Sequence, residues 1–145
     1  MGKNNIKKYL FISVKPEFAN KILTREKCIE LRKIKPHVNS GDYVIIYASS
    51  PQKCVIGFSE IKQIIETTPE QMWEKYSKVL GIDEPRFYSY YKDKNKAIGI
   101  EIGAIKSINP ISLDELRKID IKFNPPQVYR YVSNEQICKI IAEYL

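Results

Sequence analysis

Lys27, Glu30 and Arg32 stand close together in the run REKCIELRK, residues 25–33. Two cations around one carboxylate can grip a polar ligand through charge-assisted hydrogen bonds, and a lysine in contact with a glutamate can tune its partner's pKa for proton transfer. The run alternates as a strand does, with Cys28, Glu30 and Arg32 on one side and Lys27, Ile29, Leu31 and Lys33 on the other. That charged side is either a solvated sheet face, where Glu30 and Arg32 pair with cross-strand neighbours, or the floor of a polar pocket. Strict alternation sends Lys27 away from Glu30, so Lys27 joins the set only if a turn at the strand's start redirects it.

Other chemistries have fewer residues to draw on. Cys28, Cys54 and Cys138 are far apart with no CxxC spacing, and His37 is the only histidine, so free thiols and no metal are expected. A ribonuclease mechanism using two histidines is not open to this chain. No apolar run reaches the length of a membrane span, and the basic N-terminal MGKNNIKKYLFISV lacks a signal peptide's apolar core. A cytoplasmic protein without membrane partners is the expectation. The net charge of +7 is concentrated at one end. Residues 1–35 hold ten Lys or Arg against Glu17, Glu26 and Glu30, whereas the remainder is balanced at fourteen of each sign. A localised basic region suits a polyanion such as RNA, though it also serves plain solubility.

The elements that must position these groups follow from periodicity and caps. The 145 residues, 43% hydrophobic and 28% charged, suit a single domain over 1–145. YLFISVKP (9–16) reads as a strand ended by Pro16, and EFANKILT places Phe18, Ala19, Ile22 and Leu23 at helical spacing. The charged strand, DYVIIYAS and CVIGFSEIKQII are then expected as three consecutive antiparallel strands, with SPQK a tight turn and Gly57 a bulge or close approach. TTPEQMWEKYSKVLG has helix marks: Thr68 as N-cap, Pro69 at N1, Gln71 closing a capping box, Gly81 as the stop, and a stripe of Met72, Trp73, Tyr76, Val79 and Leu80. DEPRFYSYYKD suggests a second short helix. KAIGIEIGAIKSI is the fifth strand, with Ile98, Ile100, Ile102 and Ala104 inward and Gly99, Glu101 and Gly103 outward. Ser112 and Glu115 cap SLDELRKI, NPPQVYRYV reads as a Pro-led edge strand, and a last helix from Ser133 turns Ile137, Ile140, Ile141 and Tyr144 to the core. The order implies an α+β fold, a small mixed β-barrel with helices at its ends and a helical insertion before the fifth strand.

SVKPEFANKILTREKCIELRK (13–33), SGDYVIIYASSPQKCVIGF (40–58), KAIGIEIG (96–103) and FNPPQVYRYV (123–132) together resemble the ASCH domain, a member of the PUA-like superfamily. The resemblance implies a cleft between the first helix and the barrel, at the place where PUA domains hold RNA. By motif match its lining is Lys15, Lys27, Glu30, Arg32, Ser49, Ser50, Gln127, Tyr129 and Arg130, which makes the Glu30 and Arg32 face the cleft floor. Taken alone, Lys15 is also a solvated strand end, and Ser49, Ser50 and Pro51 a hairpin turn. Tyr88, Tyr90 and Tyr91, near Lys92 and Lys94, resemble a base-stacking platform or a helix face packed on the core.

Two function classes follow. The favoured one is an RNA or nucleotide binding module without a cofactor, in which Arg32, Lys15 and Lys27 meet phosphate, Glu30 accepts from a base edge, and Gln127 with the backbone of Ser49 and Ser50 completes the pocket. The alternative is a small enzyme, an amidohydrolase or ribonuclease acting on a modified nucleoside or RNA, with Lys27 and Glu30 as candidate catalytic residues. ASCH-type amidohydrolases of acetylated cytidine use a lysine, a threonine three residues later and a further glutamate. Here Lys27 matches the lysine, but Glu30 stands at the threonine position. SKVLGID puts Val79 and Leu80 where the carboxylate belongs, with Glu74 or Glu84 only under a shifted alignment.

Overall fold

The computed structural model describes residues 7–119, 123–126, 129–132 and 135. Four regions of β-branched and aromatic residues open the chain: β1 (Tyr9–Val14), β2 (Ile29–Arg32), β3 (Tyr43–Ala48) and β4 (Cys54–Thr67), with helix α1 (Pro16–Leu23) between the first two. Helices α2 (Pro69–Tyr76) and α3 (Glu84–Tyr90) precede β5 (Ala97–Ile102), and β6 (Lys106–Ser112), α4 (Leu113–Ile119) and β7 (Tyr129–Tyr131) follow. Among the described residues the strands form one mixed sheet in the order β2-β5-β4-β3-β1-β7, with β6 also on β4. Its curl into a half-barrel comes from β4, which pairs with β3 through its first half and with β5 through its second. Register shifts bend that strand at Ile56, within its pairing with β3, and at Lys62, where β5 takes over. Gly57 sits at the first of these, and a Cβ there would lie 2.8 Å from the Lys106 carbonyl oxygen, so bulge and close approach coincide.

Period-two alternation divides the core. Leu10, Ile12 and Val14 of β1 pack under α1 with Ile46, Ala48 and Ile100, while Phe11 points to the other face with Tyr47, Phe58, Leu116 and Phe123. A third cluster of Ile29, Leu31, Met72, Leu80, Phe87, Tyr91 and Ala97 fastens the α2–α3 insertion to the sheet. Thr68 caps α2 by accepting from the Gln71 backbone N–H, Asp83 caps α3 through Arg86 N–H, and Ser112 caps α4 through Glu115 N–H.

The structure corrects four expectations. The charged strand does not extend an antiparallel run into β3. β2 pairs with β5, Glu30 opposite Ile100 and Arg32 opposite Ile98, and β3 lies parallel to β1. The KPHVNSGD connection carries the chain back beside β1, where Asp42 accepts from the backbone N–H groups of Lys8 and Asn39. The outward face of β5 is covered at Gly99, where a Cβ would meet Ile29 and Met72 at 2.8 and 3.0 Å, because α2 lies against it. The strand ends at Ile102, and Lys106–Ser112 forms a separate edge strand that tolerates Pro110. The helix after Thr68 ends at Tyr76 and tightens into a 3-10 turn over Ser77–Val79. The last helix, with Ile137, Ile140, Ile141 and Tyr144, lies outside the described residues, apart from Glu135 at its start. No helix among the described residues is long and apolar enough to cross a membrane.

Candidate functional site

β2 is buried on both faces, so its charges have no bulk solvent to face. Glu30 and Arg32 are 7% and 8% exposed, and Arg32 Nη2 donates to Glu30 Oε2 at 2.5 Å and to the Ser13 carbonyl at 3.3 Å. Lys27 joins them by a route that alternation does not show. Arg25 turns the chain at a φ of 68°, and Lys27 forms an isolated bridge to Leu80 before the strand proper begins. Its Nζ then donates to the Leu80 carbonyl at 2.8 Å and stands 3.7 Å from Glu30 Oε1, 5.4 Å from the Phe18 ring centroid. Gly81 makes room for this. Its φ is +65°, and a Cβ on it would sit 2.7 Å from Lys27 Cβ, so no other residue fits both the turn and the contact. Burial pushes the Lys27 ammonium below the ordinary lysine range, with Glu30 pulling the other way.

These three groups are the charged floor of a cavity of about 860 Å³, within the range of ordinary ligand pockets. Phe18 of α1, Ile82 and Tyr90 of the insertion line it from one set of elements, and Tyr47, Leu113, Pro125, Pro126 and Tyr129 from another. Lys15, Lys33, Ile34, Ser50 and Lys53 are its exposed members. Two ties hold the walls in place. Arg86 forks onto Glu17 at 3.0 and 2.8 Å, joining the insertion to α1 and holding the Glu17 carboxyl down at about 2. Ser13 Oγ donates to the Pro126 carbonyl at 2.5 Å, joining β1 to the 123–126 segment.

Of the residues expected at the site, Lys15, Lys27, Glu30, Arg32, Ser49, Ser50 and Tyr129 line this one cavity. Gln127 lies outside the described residues, and Arg130 places its backbone in β7 opposite Phe11. The backbone of Ser49 is already committed, its N–H donating to Val14 and its carbonyl accepting from Gln52, because β3 continues its parallel pairing into the turn. The tyrosine trio separates as helical spacing dictates. Tyr91 is core, its hydroxyl donating to the Arg32 carbonyl at 2.9 Å, Tyr88 is exposed outside the cavity, and Tyr90 alone lines it. Sequence reasoning missed Ser13, Phe18, Tyr47, Lys53 and Ile82. A tyrosine in the otherwise aliphatic VIIYA and a serine in the same place in LFISV were the available signals, since these parallel strands set Ser13 opposite Tyr47. Glu74, Glu84 and His37 do not line the cavity, and the described residues hold no group of three Asp, Glu, Cys or His able to share a metal. Cys28 and Cys54 are free thiols, and Cys138 lies outside the described residues.

A family model described as "ASCH domain" matches residues 12–111. The chain is 30% identical over 136 residues to an "ASCH domain-containing ribonuclease" of Zymomonas mobilis, covering 94% of this chain and 92% of that protein. The crystal structure of ASCH from Zymomonas mobilis matches with a TM-score of 0.87 at 30% identity, over 93% of this chain and 94% of that one. Large ribosomal subunit protein uL22 of Ureaplasma parvum serovar 3 is 31% identical over 108 residues, which are 73% of this chain and 34% of that protein.

Proposed function

This chain belongs to the ASCH domain family, with the PUA-like fold of its relatives, and on that premise we propose that it acts on single-stranded RNA, taking one base into the cavity and leaving the phosphates at the mouth. The division of charge within the cavity carries this reading. Arg32 and Glu30 form a buried pair that sums to neutrality, and Lys27 beside them is made less willing to hold its proton. Such a floor suits an uncharged edge that places donors next to acceptors, as a nucleobase does. Carboxylate oxygens offer about four acceptor sites between them, so Glu30 keeps capacity beyond its contact with Arg32. In this reading the exposed Lys15, Lys33 and Lys53 of the lining meet the phosphates, a role the sequence alone suggests for Lys15, Lys27 and Arg32.

Fluorescence anisotropy of a labelled single-stranded oligoribonucleotide over a salt series tests this. With the lysines at the mouth each neutralising one phosphate, log K is expected to fall against log salt with a slope near −2, at about 0.7 per contact. Binding that ignores salt would argue for a neutral small-molecule ligand instead.

A second reading, cleavage of the bound strand, is favoured by the similarity to the Zymomonas mobilis ribonuclease and by the contact of Lys27 with Glu30 at 3.7 Å. Attack of a ribose 2′-hydroxyl on its neighbouring phosphorus forms the P–O2′ bond and breaks P–O5′. One group must take the 2′ proton and another must protonate the departing O5′. Lys27 and Glu30 are the candidates for that exchange, and end-labelled RNA that remains intact with Lys27→Met but is cut by the parent chain would assign the chemistry to them. Hydrolysis of acetylated cytidine is expected to be absent, because Glu30 and not a hydroxyl faces Lys27. An assay of released acetate checks it. Robust turnover that vanishes in Lys27→Ala would make the chain an amidohydrolase with a rearranged site.

A further inference from the structure

We infer that Tyr90 and Lys33 form a second subsite at the cavity mouth, where the base next to the one taken inside stacks on the Tyr90 ring and Lys33 takes the phosphate between them. The inference rests on the RNA reading above and adds to it a place for a second nucleotide. Tyr90 is the last residue of α3 and half-buried, and it is held from two directions. Its hydroxyl reaches the Leu31 carbonyl at 3.4 Å, and the Tyr91 ring meets it edge to face with centroids 4.8 Å apart. Burial raises its phenol above the ordinary value, so it stays a neutral aromatic at physiological pH.

What covers the ring is a placeholder. Lys33 Nζ lies 4.5 Å from the Tyr90 centroid, Lys33 itself is exposed, and it makes no ion pair among the described residues. Both residues line the cavity, together with the 72% exposed Ile34. An ammonium over a solvent-facing ring is held weakly, whereas a stacked base is held more strongly and by any of the four bases, since each has a π face. Exchange of the ammonium for a base therefore proceeds downhill, and the released lysine finds the phosphate it suits. Lys33 follows directly on Arg32, which keeps this second position beside the floor of the first. The lysine over the Tyr90 ring is Lys33, just past the end of β2, and not the Lys92 or Lys94 that sequence proximity suggests.

A chain-length series tests it: a mononucleotide, the matching dinucleotide and a trinucleotide, measured by calorimetry. The parent chain is expected to bind the dinucleotide roughly tenfold more tightly than the mononucleotide. Tyr90→Leu is expected to weaken the dinucleotide far more than the mononucleotide, so that the gain is lost, and Tyr90→Phe to retain it. Lys33→Glu, an exposed change that leaves the ring seated, is expected to reduce the gain as well and keeps the test decisive should Tyr90→Leu fail to fold. A full gain in Tyr90→Leu, or a full gain in Lys33→Glu, overturns the inference. Nucleotide binding by the parent chain without any gain with length also overturns it and leaves the RNA reading standing, whereas no binding at any length defeats both.

Discussion

Arg32→Ala is expected to weaken binding of a short single-stranded RNA by roughly 1.5–3 kcal/mol, the worth of a hydrogen bond made by a charged group. The same change leaves Glu30 with Lys27, 3.7 Å away, as its ion-pair partner among the described residues. Breaking one side of a buried ion pair costs about 3–5 kcal/mol of folding stability, so the comparison must be made below the melting point of the variant. Arg32→Lys separates the effects, because it restores the charge without the planar fork and should recover stability more fully than affinity. Lys7→Ala, a basic residue of the same first quarter that does not line the cavity, is expected to change affinity far less. Equal losses from Arg32→Ala and Lys7→Ala would mean that the basic surface binds without using the cavity.

Phe87→Ala is expected to cost about 3–5 kcal/mol of folding stability, the range for a fully buried aromatic. Its ring lies 5.1 Å from those of Trp73, Tyr88 and Tyr91, at the centre of the cluster that fastens the insertion to β2 and β5. The loss reaches the site through Tyr91, whose hydroxyl holds the Arg32 carbonyl, and through Ile82 and Tyr90, which line the cavity. A denaturant titration should show a lower midpoint with an unchanged slope. A loss below about 1 kcal/mol would show that the insertion is fastened elsewhere, since surface-like effects are that small.

Glu30 and Arg32 were legible because a strand's two-residue period puts them on one face, and that period survives whichever strand lies alongside. Their partner strand was not legible. β5 is distant in sequence and is chosen by the insertion packing across Ile29, Leu31 and Ala97, a three-dimensional fact with no local signal. Lys27 defeats alternation because it stands before the strand, on a turn set by Arg25 and roofed by Gly81. Gly81 looks like a plain helix stop in the sequence, and it is also the gap through which the Lys27 stem passes. Thr68, Asp83 and Ser112 mark their helices correctly because a cap is a local hydrogen bond. β6 hid behind Pro110, which an edge strand accepts and a central strand would not. Tyr47 and Lys53 enter the cavity from β3 and the turn after it, and only the parallel pairing of β3 with β1 brings them to Ser13 and Arg32.

The central claim, that a base enters the cavity over Glu30 and Arg32, is tested most directly by amide chemical shifts of the labelled chain during titration with a short single-stranded oligoribonucleotide. Saturable shifts at Glu30, Arg32, Ser50 and Tyr90, with the Arg32 guanidinium signal moving in step, are the predicted result. Shifts confined to exposed lysines such as Lys7 and Lys8, with β2 unmoved at saturation, would contradict it.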